Sequence, residues 1–295
     1  MSKERVDIIL VNFYTLEPLK ACVSSIDEPG LKVRILILDN HSDGKKLESL
    51  RALTHLELHI IYAEENLGFT AGCNLAFKKL KETFGLSDWV LFLNPDTLLS
   101  GSNIQMLLET QKHFGSDLVY PRSVYPDGKP YCLGTDFDIV KMRMDNLKYR
   151  KAQAPVMVDF YQGAAFLVKT SVFEKVGGLD ERLFMYFDEA DLSFRLRKAG
   201  HKIMYDPRVT IVHNASYSFQ GNHYRKAYYI ARNGWVIFNS HSKDKSLKKT
   251  LSFYYYHVFV VMFVWYLKTG RFKSILYGLK GLRHARKGIF GKLQE

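Results

Sequence analysis

The chain contains few cysteines, and none of them has the spacing of a metal site or a redox pair. Cys22, Cys73 and Cys132 are the only three among 295 residues. An odd number without a CxxC motif argues against a disulfide-rich secreted domain and is typical of buried thiols in a reducing compartment.

Two kinds of signal are also missing from the sequence. The N-terminus leads from Met1-Ser2-Lys3-Glu4-Arg5 directly into a strand-like segment, without the apolar stretch of a signal peptide. We therefore expect a cytoplasmic protein. Neither a GxGxxG loop nor a Walker A loop is present, which counts against a dinucleotide-dependent dehydrogenase and a P-loop NTPase.

Acidic residues are scarce in the C-terminal part of the chain. Residues 245–295 contain 11 Lys or Arg and one acidic residue, whereas residues 1–244 contain 31 basic and 29 acidic residues. A basic tail fits either a nucleic acid or an anionic membrane surface. The aromatic and apolar run within this tail is unlike a solvated basic arm, so we expect no nucleic-acid partner.

That run, Leu251–Leu267, lacks the length and the apolar character of a membrane span. Its 17 residues include four tyrosines, Ser252 and His257. As a helix it would extend about 25 Å, short of a hydrocarbon core of about 30 Å. We expect residues 241–295 to lie against anionic lipids at the membrane interface. The alternative is a helical unit that packs on the rest of the protein or forms a homodimer.

Four short apolar segments in the first hundred residues have the character of buried strands: Val6–Val11, Arg34–Leu38, His59–Tyr62 and Trp89–Leu93. Helical stretches separate them, and Gly163–Val168 is a further strand candidate. This alternation predicts βαβ units and an α/β fold with a mostly parallel sheet flanked by helices. We place this domain at residues 1–240, with residues 121–158 as loops over the site.

Polar residues follow all four of these strands. They are Asn12, Asp39, Asn40, Asn66, Gly68, Asn94 and Asp96. In open parallel sheets, ligands bind beyond the carboxyl ends of the strands, so the pattern predicts one shared site. The alternative is that these residues only form turns.

Three carboxylates open a predicted helix at Asp188-Glu189-Ala190-Asp191. Helix capping is one explanation, since the N-terminal end of a helix favours negative charge. The preceding aromatic residues Phe184, Tyr186 and Phe187 favour a second explanation. Desolvation beside aromatic walls raises the basicity of a carboxylate, as a general base requires.

Other candidates concern phosphate and metal binding. Asp96, at a strand end and preceded by Pro95, is a candidate ligand for Mg²⁺ or Mn²⁺. His213 follows another apolar run and is either a structural histidine or a group that reaches the metal or a phosphate. Arg225, Lys226 and Arg232 lie in a tyrosine-rich helical stretch. The sequence is compatible with two roles for these side chains, phosphate contact and solvated surface charge.

Taken together, these segments resemble family-two glycosyltransferases of the GT-A (Rossmann-like) fold, most closely the bacterial rhamnosyltransferase-like members. The resemblance covers roughly residues 5–240, and it depends on the order and spacing of several loose motifs. The matching stretches are Val11–Tyr14, Asp39–Ser42, Asn66–Asn74, Leu93–Asp96, Gly163–Phe166, Phe187–Leu192 with Arg195–Arg197, and His213.

The resemblance implies roles for individual residues. Asn12, Phe13 and Asp39 would hold the nucleoside; Asn66, Gly68 and Asn74 would line the nucleotide pocket, with Asn94 and Arg225 also contacting the nucleotide sugar. Asp96 would bind the divalent cation, assisted by His213, although Asn94 replaces the first aspartate of the family's DXD motif. Glu189 would be the catalytic base. The usual Glu-Asp pair is inverted here, so Asp188 is the alternative base.

The implied activity is inverting transfer of a sugar from a nucleotide sugar, best matched by dTDP-L-rhamnose. A UDP-hexose or UDP-N-acetylhexosamine is the alternative donor. The acceptor would be a saccharide or a polyprenyl-diphosphate-linked saccharide of a cell-surface polysaccharide, reached from the inner face of the cell membrane. A non-catalytic nucleotide-sugar-binding scaffold protein is the competing function.

Overall fold

The structure is a computed structural model that describes residues 3–138, 143–145, 149, 151–214, 223–241 and 264–294. Its first part alternates strands and helices as predicted. The elements are β1 (Arg5–Asn12), α1 (Leu16–Ser25), β2 (Lys32–Asp39), a 3₁₀ segment (Gly44–Leu53), β3 (Glu57–Tyr62), α2 (Gly68–Phe84) and β4 (Trp89–Leu93). Strands β3, β2, β1 and β4 are neighbours in this order and all run parallel.

The second part extends the same sheet and is less regular. Its elements are β5 (Thr97–Leu98), α3 (Asn103–Phe114), β6 (Leu118–Val124), β7 (Pro130–Cys132), β8 (Asp136–Asp138), β9 (Arg143–Asp145), β10 (Val156–Val158), β11 (Ala165–Lys169), α4 (Thr170–Lys175), α5 (Asp188–Lys198) and β12 (Ile203–His213). The strand order is β10-β12-β6-β11-β4-β1-β2-β3. Segment 121–158, expected to consist of loops, therefore also contributes short strands.

Hydrophobic side chains cover both faces of the sheet, because the central strands alternate their side chains between two buried layers. Ile8 and Leu10 of β1 belong to the layer beneath α1 and α3, whereas Ile9 and Val11 belong to the layer beneath α2 and α4. Strands buried on both faces are continuous apolar runs, which explains why these segments were recognisable in the sequence. All three cysteines are free and buried, as expected.

Strand β11 departs from the parallel pattern. It lies between β4 and β6 and runs antiparallel to both. This reversal brings the start of β11 to the sheet edge where β4 ends. The amide of Asn94 accordingly donates a 2.8 Å hydrogen bond to the carbonyl of Ala164. Residues 70 positions apart in the chain thereby meet at one edge.

Two helices follow the sheet, α6 (His223–His241) and α7 (Phe272–Arg286), and they pack against each other. At their crossing, a Cβ on Gly281 would lie 2.4 Å from the carbonyl oxygen of Tyr228, so only glycine allows this approach. The described part of the C-terminal tail is thus packed on the body. Most of the run Leu251–Leu267 lies outside the described residues. Among the described helices, none has the length and apolarity needed to cross a membrane.

Candidate active site

Two adjoining cavities open at the sheet edge where β1 and β4 end. The first cavity has a volume of about 440 Å³. It is lined by Val11, Phe13, Thr15, Asn40, Asn66, Gly68, Phe69, Asn94, Pro95, Asp96, Phe184, Met185, Arg225, Tyr229, Lys292 and Leu293. Most of the residues predicted to bind a nucleotide sugar therefore surround one space.

Asp39 and Asn12, which were expected to hold the nucleoside, are buried and do not line this cavity. Both carboxylate oxygens of Asp39 accept hydrogen bonds from the loop after β2, including those from Ser42 Oγ at 2.6 Å and the Gly44 amide at 2.9 Å. Asn12 Nδ2 donates to Asp39 at 3.0 Å and to Asp43 at 2.9 Å. Burial alone would raise the pKa of Asp39, but these hydrogen bonds hold the pKa below its ordinary value.

A second polar network shapes the cavity wall itself. Asn40 Nδ2 donates to Asn66 Oδ1 at 3.1 Å and to the carbonyl of Gly68 at 3.0 Å, while its Oδ1 accepts from the Leu67 amide at 2.8 Å. Gly68 has φ +81°, and a Cβ there would lie 2.5 Å from the ring of Phe184. Glycine is therefore required at the start of α2, where the Phe184 loop closes over it.

Asp96 and His213 form a buried pair at the junction of the two cavities. His213 Nε2 lies 3.1 Å from Asp96 Oδ1 and 3.4 Å from Asn94 Nδ2. The ring of Tyr131 packs edge-on against the imidazole, with centroids 4.5 Å apart. His213 Nδ1 is buried and has no hydrogen-bond partner in the described part of the chain. Strand pairing between β5 and β12 brings the two residues together.

The second cavity, of about 430 Å³, adjoins the first and shares Phe69, Asn94, Asp96 and Met185 with it. Asp188 and Glu189 line its wall, together with Tyr131, Tyr186 and His213. The sequence-based hypothesis required Asp39, Asp96 and Glu189 to converge on one cleft. Asp96 and Glu189 both line this cavity, whereas Asp39 lines neither cavity.

The two carboxyl groups differ in environment. Asp188 is buried, and both burial and the neighbouring Glu189 raise its pKa well above the ordinary value. Burial also raises the pKa of Glu189, while hydrogen bonds from its own amide, the Gly163 amide and the Asp188 carboxyl partly offset this rise. The hydrogen bond between the two carboxyls raises the pKa of Asp188 and lowers that of Glu189, so it favours the proton on Asp188.

Asp191, the third carboxylate of the cluster, has a structural role. Its oxygens accept hydrogen bonds from Arg195 Nε at 2.7 Å and His241 Nε2 at 2.9 Å. It therefore ties α5 to the end of α6, and it does not line either cavity. The three carboxylates therefore differ in what they do. Asp188 and Glu189 line the second cavity, whereas Asp191 joins two helices.

The loop that leads into α5 has an unfavourable backbone conformation. Phe184, Tyr186 and Phe187 all have φ between 64° and 68°, the left-handed region that residues with a Cβ rarely adopt. Two residues of α6 hold this loop from behind. Asn233 Nδ2 donates to the carbonyls of Leu183, Met185 and Tyr186 at 2.7–3.1 Å.

Arg232 is the other holding residue, and its side chain is fully buried. Its guanidinium donates to the carbonyls of Arg182 at 3.1 Å and Leu183 at 2.8 Å. Arg232 therefore has neither of the roles considered from the sequence, which were phosphate contact and solvated charge. The pair Arg232 and Asn233 fixes the loop and thereby the position of Asp188 and Glu189.

Asn74 is located away from both cavities. Its amide donates to the Leu179 carbonyl at 2.8 Å and to Glu181 at 3.0 Å, and its Oδ1 accepts from the Leu179 amide at 2.9 Å. The structure thus gives Asn74 the task of joining α2 to the loop after α4. The expectation that it lines the nucleotide pocket does not agree with this placement, because its polar atoms are engaged on a different surface of α2.

The expected divalent cation fits the Asp96 and His213 pair in part. A carboxylate oxygen and an imidazole nitrogen converge within 3.1 Å, and both side chains line the second cavity. The described residues contain no cluster of three His, Cys, Asp or Glu that would form a complete protein site. Mg²⁺ often takes only one or two protein ligands and completes its shell with phosphate oxygens and water. The donor set is compatible with that mode.

Comparisons with known proteins identify the family and the fold. Residues 7–177 match the profile of glycosyl transferase family 2. The N-acetylglucosaminyl-diphospho-decaprenol L-rhamnosyltransferase of Mycobacterium tuberculosis is 28% identical over 210 residues, which is 63% of this chain and 68% of that protein. Rhamnosyltransferase WbbL of Escherichia coli is 25% identical over 224 residues, covering 71% of this chain and 83% of WbbL.

Among solved structures, the mannosyltransferase PcManGT from Pyrobaculum calidifontis, in complex with GDP-Man and Mn²⁺, superposes with a TM-score of 0.59. The match covers 99% of this chain and 77% of PcManGT at 13% identity, so it supports the GT-A fold alone. The family profile spans more than half of the chain. The protein is a glycosyltransferase and belongs to glycosyl transferase family 2.

Proposed function

We propose that the protein transfers L-rhamnose from dTDP-L-rhamnose, with inversion, to a lipid-linked saccharide acceptor of a cell-surface polysaccharide. Two relatives that share 25–28% identity are named rhamnosyltransferases, and one of those names specifies a diphospho-decaprenol acceptor. A UDP-hexose or UDP-N-acetylhexosamine is the alternative donor. Both alternatives use the same site.

The observation that carries the proposal is the position of Asp96 between the two cavities. The first cavity, bordered by the asparagine network and Arg225, is the place for the nucleotide. The second cavity, bordered by Glu189, is the place for the sugar and the acceptor hydroxyl. A donor that spans both would have its diphosphate beside Asp96. The anomeric carbon would then lie between the leaving group and the base.

In this arrangement Glu189 removes the proton of the acceptor hydroxyl, whose oxygen attacks the anomeric carbon from the face opposite the diphosphate. The carbon–oxygen bond to the nucleoside diphosphate breaks in the same displacement, which inverts the anomeric configuration. Asp188 keeps its proton and donates a hydrogen bond to Glu189, so that one carboxylate accepts the proton.

A divalent cation, Mg²⁺ or Mn²⁺, would be held by Asp96 and His213 and would offset the charge that develops on the departing diphosphate. Asn94 lies beside this pair and fixes His213 through a 3.4 Å contact. Arg225, in the wall of the first cavity, is a phosphate or sugar contact.

We also propose that the protein works at a membrane surface. Helix α7 packs on α6, yet it exposes Phe272, Leu276 and Leu279, whose side chains are 45–65% accessible. Residues at i, i+4 and i+7 share one helical face, and Lys273, Lys280 and Arg283 adjoin it. An apolar stripe beside basic residues suits an interface with anionic lipids, where a lipid-linked acceptor would be reached.

Ligand-induced stabilisation tests the donor assignment. The melting temperature is measured with dTDP, UDP and GDP, each with and without Mn²⁺, because a ligand that binds only the folded state raises stability. Transfer is then measured from dTDP-L-rhamnose and from UDP-hexoses to a polyprenyl-diphosphate-linked saccharide. Stabilisation by dTDP and an inverted rhamnosyl product support the proposal. Binding of a nucleotide without release of nucleoside diphosphate from any donor would favour the non-catalytic scaffold instead.

A further inference from the structure

The C-terminal stretch after α7 returns to the first cavity. Helix α7 ends at Arg286, and the chain then passes beside the loop that precedes the catalytic carboxylates. Lys292 and Leu293 reach the wall of the first cavity, which they share with Arg225 and Asp96. The sequence-based domain division placed this stretch in a separate tail. In the structure it forms part of the site.

The backbone on both sides of Lys292 is held in place. The Gly291 amide donates to the Arg182 carbonyl at 3.0 Å, and the Gly291 carbonyl accepts from Arg232 Nη1 at 2.5 Å. On the other side, the Leu293 amide donates to the hydroxyl of Tyr229 at 2.8 Å. Arg232 is fully buried and Tyr229 nearly so. The lysine is therefore presented to the cavity from a fixed backbone.

The charged residues in the wall of the first cavity indicate the charge of the ligand that Lys292 would contact. Among its lining residues, the side chains charged at neutral pH are Arg225, Lys292 and Asp96. Two cations thus face a space whose single carboxylate is the candidate metal ligand. A nucleoside diphosphate is a strongly anionic occupant, and ammonium groups are effective phosphate partners.

We propose that Lys292 binds the diphosphate of the nucleotide-sugar donor, and that docking of residues 288–294 completes the donor site. This proposal rests on the proposed glycosyltransferase site and adds a diphosphate ligand from the tail. The loop that carries Glu189 and the tail share the same anchor, Arg232, which donates to Leu183 and to Gly291. The side chain of Arg232 consequently holds both the loop that precedes Glu189 and the segment that carries Lys292.

The test compares Lys292→Met with Lys287→Met, which removes an exposed lysine that directly follows α7 and does not line the cavity. Affinities for dTDP, UDP and GDP, and for the corresponding nucleosides, are measured by calorimetry with Mn²⁺ present. Because one charged phosphate contact is lost, the affinity of Lys292→Met for the diphosphates should fall by about tenfold or more. Nucleoside affinity should stay unchanged, and Lys292→Arg should restore most of the diphosphate affinity.

The controls separate failure of this proposal from failure of the site itself. Equal diphosphate affinity of Lys292→Met and Lys287→Met would overturn the role of Lys292 while leaving the proposed function intact. If the wild-type protein binds none of the three diphosphates, the donor site and this proposal both fall. Melting temperatures of the two variants should match the wild type, since both ammonium groups are exposed.

Discussion

His213 Nε2 lies 3.1 Å from Asp96 Oδ1, and both side chains are almost completely buried. The histidine lies at the end of β12 and the aspartate in the turn between β4 and β5, 117 positions earlier in the chain. Their pairing therefore depends on the strand order and on the short strand β5, which places residue 97 opposite residue 213. An imidazole nitrogen beside a carboxylate oxygen offers two ligands for a divalent cation.

Removal of the metal should abolish transfer. We expect EDTA to eliminate activity, and Mn²⁺ or Mg²⁺ to restore it. His213→Ala should raise the cation concentration needed for half-maximal activity by about 10–100-fold, since one ligand is lost. His201→Ala is the matched control, because His201 also pairs with a carboxylate, Asp117 at 3.0 Å, but lines neither cavity. Full activity in EDTA would remove Asp96 and His213 from this role.

The two carboxyls of α5 should respond differently to amide substitution. Glu189→Gln removes the proton acceptor, so kcat should fall by about 10²–10⁴-fold while nucleoside diphosphate affinity is retained. Asp188→Asn preserves a hydrogen-bond donor toward Glu189 and should lose much less activity. The reverse ranking would identify Asp188 as the base. Steady-state kinetics and calorimetry on both variants distinguish these results.

Glu28 provides a test of pH-dependent stability at a residue that lines neither cavity. Burial raises the pKa of Glu28 to about 7, although its Oε1 accepts a 2.6 Å hydrogen bond from the Ile104 amide at the start of α3. Since its ordinary pKa is about 4.3, the folded state binds a proton that the unfolded state releases. The stability that Glu28 contributes is complete below about pH 4 and declines as pH rises to about 7.

Glu28→Gln keeps the acceptor for the Ile104 amide and removes the titration. The melting temperature of the variant should exceed that of the wild type at pH 8, and the difference should shrink toward pH 5. Circular dichroism melts across this range measure the effect. A pH-independent difference between the two proteins would show that the Glu28 carboxyl does not titrate with a raised pKa.

The exposed face of α7 should govern membrane binding. Replacing Phe272, Leu276 and Leu279 by serine should reduce sedimentation with anionic phospholipid vesicles several-fold, because most of the exposed apolar surface of this helix is lost. Met157→Ser is a control at an equally exposed residue on strand β10. Point variants are preferable to deletion of residues 246–295, since that deletion also removes Lys292 from the first cavity. Unchanged sedimentation would exclude this face as the membrane contact.

Much of the α/β body was predictable, because its central strands are buried on both faces and appear as uninterrupted apolar runs. The gathering of polar residues at one edge of the sheet followed from their placement at strand ends, whereas the expectation that Glu189 lies there came from the family resemblance. The antiparallel direction of β11 was not predictable in this way, since a buried apolar run is the same in either direction.

Individual residue roles were harder to assign. Asn66 and Asn74 are the same residue type and lie only eight positions apart. Asn66, just before α2, lines the first cavity, whereas Asn74, within α2, joins the helix to Leu179. Only the fold distinguishes them. The structural role of Arg232 was not predictable, because its contacts join Arg182 and Leu183 to Gly291, more than one hundred positions away in the chain.

The anchoring of Gly291 and Leu293 bears on how the protein is handled in the laboratory. A purification tag fused after Glu295 would begin only a few residues from Lys292, which lines the first cavity. The N-terminal residue Lys3 instead contacts Pro29, on the side of the sheet where β1 begins. On the proposed assignment of the first cavity to the nucleotide, we expect a C-terminal tag to weaken nucleotide binding more than an N-terminal one, and calorimetry on both tagged forms measures the difference.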